Sequence, residues 1–218
     1  MIAVNDKESE IIQFEDVSLS YPLTSSNQVD ILESITFSVK KGSKVGVLGP
    51  SGSVKTSLLL LMAGSIPPTK GKVKCYGKSY LVHHFPILNP FLTCSEVLDY
   101  SATLTKNPLK EVSKVMERVN LGYLKNHLIL NLSGGERQRI AFHEALFSNS
   151  QLILADEPFG RLDKKNTQSL QAFLMETITE NGLTLVMATH NPLHLKGFDV
   201  IYKIKNRSMV KTTWPRNW

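Results

Sequence analysis

Hydrophobic and polar residues change their spacing several times along this chain, and each spacing predicts an element. Between about 11 and 43, apolar positions alternate with polar ones: Ile12, Phe14, Val17 and Leu19 in one run, Ile35, Phe37 and Val39 in the next. A period of two predicts antiparallel strands with one exposed face, here joined by the polar loop Thr24-Ser25-Ser26-Asn27. Val45-Gly46-Val47-Leu48 lacks alternation and reads as a buried strand, followed by a Gly/Ser loop and a helical run from Thr56 to Ala63. Pro67-Pro68-Thr69-Lys70-Gly71 predicts a turn, and Lys72 to Tyr80 a short hairpin. From Leu92 to about Leu130 the pattern is helical and more polar, with Pro108 and Gly122 as breaks. Buried strands return at 152–155 and 183–188, flanking an amphipathic helix around 167–180. This strand-helix-strand alternation predicts a parallel α/β core.

Composition narrows the picture. A chain of 218 residues suits one large domain or two small lobes, and 42% hydrophobic with 20% charged residues is ordinary for a soluble globular protein. The net charge of +6 is scattered, which reads as a solvated basic surface, and no nucleic acid partner is expected. Cys75 and Cys94 lack metal-ligand spacing and read as reduced, cytosolic thiols. The amino terminus lacks the layout of a signal peptide. The apolar run from Leu58 to Ala63 falls far short of the roughly 20 residues that span a bilayer. Any membrane role therefore implies a partner. The last residues, Trp214-Pro215-Arg216-Asn217-Trp218, read as a frayed or docked tail.

Candidate chemistry gathers in three places. Gly49-Pro50-Ser51-Gly52-Ser53-Val54-Lys55-Thr56-Ser57 follows a strand and opens a helix, where backbone N–H groups and a helix amino terminus concentrate positive potential on a phosphate chain. In such a loop Lys55 reaches the β- and γ-phosphates and Thr56 ligates Mg²⁺. The sequence departs from G-x-x-x-x-G-K-[ST] at Val54, a β-branched residue that is strained if the position needs φ > 0 and that would also take up space close to the phosphates. Ser133-Gly134-Gly135-Glu136 has the form of a capping box, and its double glycine leaves helix N–H groups with no side chain in front of them. Asp156 and Glu157 end an apolar strand, where a parallel sheet delivers functional groups: Asp156 to hold Mg²⁺, Glu157 to act as general base on water.

Leu132-Ser133-Gly134-Gly135-Glu136-Arg137-Gln138-Arg139-Ile140, followed by Leu152-Ile153-Leu154-Ala155-Asp156-Glu157-Pro158, resembles the signature motif and Walker B strand of ATP-binding cassette (ABC) ATPases. The resemblance runs in motif order from about Ile12 to Lys205. It implies an α/β fold: a P-loop NTPase core with a parallel sheet, an antiparallel β subdomain and an inserted α-helical signature subdomain. The implied domain covers 11–210, with the helical part at about 85–145 and a tail at 211–218. It also implies roles residue by residue. Tyr21 resembles the aromatic that stacks on adenine. His84 stands where the family has a glutamine that bridges Mg²⁺, water and a membrane partner, and an imidazole there is a departure. Leu92 to Leu98 resembles the segment that receives a permease's coupling helix. Asp163, in Phe159-Gly160-Arg161-Leu162-Asp163, resembles the D-loop residue at a dimer seam. His190 resembles the switch histidine on the γ-phosphate, and Asn191 stands where the family commonly has Asp. Ser133 and Gly135 would meet the γ-phosphate of a nucleotide held by another subunit.

Leu132–Ile140 and Leu154–Pro158 are most similar to the lipoprotein-release, macrolide-export and cell-division subfamily, while the D-loop leans towards importers. The implied protein is a transport ATPase using ATP and Mg²⁺, peripheral on the cytoplasmic face of a membrane. Its implied partners are permease subunits and a second cassette, in a homodimer or a heterodimer. Val54 and His84 keep open an alternative, a degenerate cassette that binds ATP with little hydrolysis and serves a regulatory or pairing role.

Overall fold

The computed structural model describes residues 9–24, 27–50, 52, 54–104, 116–117, 121–160 and 162–212. The predicted roles of Ser51 and Ser53, the break at Pro108, Arg161 of the D-loop, part of the loop at Ser25-Ser26 and the tail from residue 213 lie outside them.

Two sheets organise the chain. The first is antiparallel, in the order β2-β1-β4, with β1 at Glu10–Pro22, β2 at Gln28–Lys40 and β4 at Lys70–Cys75. Its apolar residues Ile12, Phe14, Val17 and Leu19 are buried in one core, and an irregularity between Phe14 and Val17, with Asp16 at φ 49°, absorbs the step of three that strict alternation would not allow. Gly71 lets β4 approach β1, because a Cβ there would stand 2.2 Å from the Asp16 carbonyl oxygen.

The second sheet has the order β5-β6-β7-β3-β8-β9, with β3 (Lys44–Leu48), β5 (Ser79–Val82), β6 (Leu152–Asp156), β7 (Thr184–Thr189) and β8 (Val200–Lys205) parallel, and β9 (Ser208–Thr212) an antiparallel edge. The predicted hairpin at 72–80 is not formed. β4 joins the first sheet and β5 pairs parallel with β6 in the second, so the chain crosses between layers at Tyr76 to Lys78.

The unbroken apolar runs of β6 and β7 do alternate in space. Leu152, Leu154, Val186 and Ala188 face the core shared with the antiparallel sheet and α1 (Lys55–Met62). Ile153, Ala155, Leu185 and Met187 face a second core under α3 (Gly134–Phe147) and α4 (Lys164–Glu180). Both faces are covered, so both can be apolar. A third apolar cluster joins α2 (Cys94–Leu104) to α3 through Val97, Leu98, Ile140 and Phe147. Among the described residues no helix is long and apolar enough to cross a membrane.

Candidate active site

Three neighbouring strands end at one edge of the parallel sheet. The register sets Leu48 of β3 against Thr189 of β7, and Asp156 of β6 against Ala188. Gly49, Glu157 and His190 therefore emerge side by side, as strand ends in a parallel sheet do. Gly49 N–H donates to the Thr189 carbonyl at 3.1 Å and ties the loop to β7.

Among the described residues of the loop, the left-handed one is Gly52, at φ 72°. Val54 has φ −60° and ψ 7°, an ordinary conformation, and packs against the core beneath α1. The strain expected at Val54 does not arise, because its φ is negative, while Gly52 takes a left-handed conformation that glycine tolerates. Lys55 opens α1 with its side chain buried: Nζ donates to the Gly49 and Pro50 carbonyls at 2.9 and 2.8 Å and lies 3.2 Å from Glu157 Oε1. Thr56 Oγ1 donates to Asp156 Oδ2 at 2.6 Å. The Tyr21 hydroxyl lies 3.2 Å from Ser57 Oγ, so the end of β1 flanks the first turn of α1.

Glu157 is held in an unusual backbone conformation, φ 45°. A non-glycine residue there costs about 1–3 kcal/mol, and such strain clusters at functional sites. Its N–H donates to the Ala188 carbonyl at 2.9 Å and its own carbonyl accepts from Gly160 N–H at 3.1 Å. Oε2 accepts from His190 Nδ1 at 3.0 Å and from Thr189 Oγ1 at 3.1 Å. Burial alone raises the Glu157 pKa, but hydrogen bonds from His190 and Lys55, with their charges, outweigh it and hold the carboxyl below its usual range. It is ionised at neutral pH.

His84 follows β5 and lines the same cavity of about 520 Å³ as Lys55, Asp156, Glu157 and His190. Its Nδ1 is buried without a hydrogen-bond partner. Among the described residues no group of three or more His, Cys, Asp or Glu side chains could hold a metal. The paired oxygens of Thr56 and Asp156 nonetheless fit Mg²⁺, which takes one or two protein ligands and completes its shell with phosphate oxygens and water. The His84 imidazole is a softer donor than Mg²⁺ prefers.

The signature turn lies elsewhere. Ser133 caps α3 in the predicted capping box: its Oγ accepts from Glu136 N–H, and Glu136 Oε2 accepts from Ser133 N–H at 2.8 Å. The Tyr123 hydroxyl donates to Glu136 Oε1 at 2.8 Å and steadies the carboxylate from outside the helix. Gly134 and Gly135 line an open groove of about 760 Å³ whose other wall is the start of α4, where Asp163 caps the helix by accepting from Asn166 N–H at 2.8 Å. The groove shares no residue with the Lys55 cavity, so a single chain does not bring Ser133 and Gly135 to Lys55.

The sequence profile described as ABC transporter matches residues 32–160. The chain belongs to the ABC transporter family. It is 30% identical to the lipoprotein-releasing system ATP-binding protein LolD of Francisella tularensis, over 89% of this chain and 93% of that one. It is 32% identical to the taurine import ATP-binding protein TauB of Pelagibacter ubique, over 81% and 71%. Among solved structures it resembles the ATP-binding cassette MJ0796, in a dimeric post-hydrolysis state with ADP and Pi, at a TM-score of 0.82 and 23% identity over 94% of this chain and 99% of that one. That likeness is one of fold, and the α/β cassette architecture is the one predicted.

Within this ABC cassette, several functional contacts escape a reading of motifs. Thr189 precedes His190 and binds the same carboxylate oxygen. Gly160 lies beside His84, where a Cβ would stand 3.4 Å from His84 Cε1, in ordinary contact. Tyr123 and His194 have no motif around them. Only their places, before the signature turn and four residues past His190, set them apart from other aromatic or polar residues.

Proposed function

We propose that this chain is the ATP-binding and hydrolysing subunit of an ABC transporter, two copies of which close around two ATP molecules and drive separate permease subunits at the cytoplasmic face of a membrane. One observation carries the reading. Lys55, the Thr56–Asp156 pair, Glu157 and His190 converge in one cavity, while the signature turn of the same chain stands in a separate open groove. A chain that holds both halves of a site, apart, completes it with a second copy.

In this reading Tyr21 stacks on adenine, and the backbone from Gly49 to Ser57 with Lys55 binds the phosphates. Mg²⁺ at Thr56 and Asp156 supplies charge neutralisation on the phosphate oxygens. When Lys55 turns to phosphate, Glu157 Oε1 is released to accept a proton from water. The water oxygen bonds to the γ-phosphorus and the bond to the ADP oxygen breaks. His190 steadies Glu157 and faces the γ-phosphate. His84 lines the same cavity, and its unpartnered Nδ1 would be available to a water molecule held near the phosphates.

Glu157→Gln tests this. ATPase activity is expected to fall by about a hundredfold or more, on the scale of losing a general base, with ATP binding retained. Light scattering of that variant with Mg²⁺ and ATP is expected to show a dimer. Undiminished turnover, or a monomer under those conditions, contradicts the reading.

A further inference from the structure

Behind the Glu157 carboxylate lies a polar network whose hydrogen atoms can be assigned one by one. Asn191 opens the short turn Pro192–Leu195, and its Oδ1 accepts from Leu193 N–H at 3.1 Å. That bond fixes the amide's orientation, so Nδ2 is the atom 3.2 Å from His194 Nε2. An amide nitrogen only donates, so Nε2 carries the lone pair. His194 is buried, and burial pushes its pKa down, so the ring is neutral and its proton sits on Nδ1. Nδ1 lies 3.1 Å from Thr189 Oγ1, which also accepts from Asn191 N–H at 3.1 Å. Both lone pairs of the hydroxyl are then filled, and its own proton goes to Glu157 Oε2 at 3.1 Å. With His190 Nδ1 on the same atom, Oε2 is fully engaged.

We propose that His194 is a positioning residue for hydrolysis: with its tautomer set by Asn191, it commits the Thr189 hydroxyl to Glu157 Oε2 and leaves Oε1 as the oxygen that takes the proton from water. This rests on the reading of Glu157 as general base. It also gives Asn191 a role. An aspartate at 191 would accept from Nε2–H of a neutral ring, leave Nδ1 as an acceptor and draw the Thr189 proton away from Glu157. The edge-on contact of His194 with Phe159, at 5.1 Å between ring centroids, and the bond from Gln171 Nε2 to its carbonyl at 3.1 Å hold the ring in place.

Nitrogen-15 NMR of the histidine-labelled full chain reads the tautomer directly. His194, assigned by the signals missing from His194→Asn, is expected to show a protonated Nδ1 and a bare Nε2, and the opposite tautomer overturns the proposal. Steady-state kinetics read the consequence. His194→Leu is expected to lower kcat about tenfold, the scale of one orienting hydrogen bond, with KM for ATP unchanged. His194→Asn, whose Nδ2 replaces Nδ1–H, is expected to restore most of the rate. An unchanged kcat in His194→Leu, or the same loss in both variants, overturns the positioning role. Glu157→Gln measured alongside separates the two failures. If it still turns over, the reading of Glu157 is wrong. If it does not, and His194→Leu is as fast as the unmodified chain, only the relay is refuted.

Discussion

The Lys55 cavity and the signature groove are built from similar parts, a glycine-rich turn and a helix amino terminus, yet they are finished differently. In the cavity Lys55, Thr56 and Glu157 each have a partner on this chain, and His84 Nδ1 is the exception among the side chains given a role there. Lys55 is held by two carbonyls and Glu157, Thr56 by Asp156, and Glu157 by Thr189 and His190. In the groove Ser133, Glu136 and Asp163 are bonded as helix caps, and Gly134 and Gly135 line open space. The cavity is shaped by the edge of a parallel sheet and can preorganise charges by itself. The groove is a surface, and its glycines acquire a use when another molecule faces them.

Filling the groove should break this contrast most severely. Gly135→Asp places a carboxylate on the turn, and ATPase activity is expected to fall roughly a hundredfold or more, as when a preorganised donor to the reacting phosphate is lost. Nucleotide binding to the single chain, followed by fluorescence of a labelled ATP analogue, should be unchanged. A parallel loss of binding would mean that the two regions are not separate.

The next effect concerns how the groove is held. His143 of α3 is buried, stacks on Phe173 of α4 at 5.0 Å and bonds through Nδ1 to the Arg139 carbonyl, so it anchors both walls. Burial pushes its pKa down to about 4. The unfolded chain therefore binds the extra proton first as pH falls below about 6.5, and the stability due to neutral His143 is lost progressively between there and about 4. Urea unfolding at pH 7 and pH 5 should differ by about 2 kcal/mol from this residue, and His143→Leu should remove that difference. A slope that persists in the variant would assign the acid sensitivity elsewhere.

The smallest effect sharpens the description of the cavity. Val54→Gly is expected to destabilise the chain by about 1 kcal/mol through lost packing and added chain freedom, with no gain in ATP affinity or turnover. Tighter binding in that variant would show that valine does obstruct the phosphates.

Much of this was legible in the sequence because it rests on short-range rules. The alternation in β1 and β2, the Ser133–Glu136 capping box and the acidic pair ending β6 each follow from period or spacing. The failures have a common cause, which is that tertiary partners decided them. Residues 72–80 look like a hairpin, but β4 and β5 find partners in different sheets. Val54 looks strained only if the left-handed position is placed on it, and the three-dimensional loop places it at Gly52. The network through Thr189, Asn191 and His194 depends on which atom of an amide is claimed by a turn, and no spacing rule reveals that.

The central claim is that one chain contributes two separate halves to a site completed by its copy. Mixing tests it most directly. A Gly135→Asp chain keeps its Lys55 cavity, and a Lys55→Ala chain keeps its signature groove. Each alone should be inactive. Combined, they should regain ATPase activity, because a mixed dimer holds one complete site. A mixture as inactive as its components, or full turnover by the Gly135→Asp chain alone, would contradict the account.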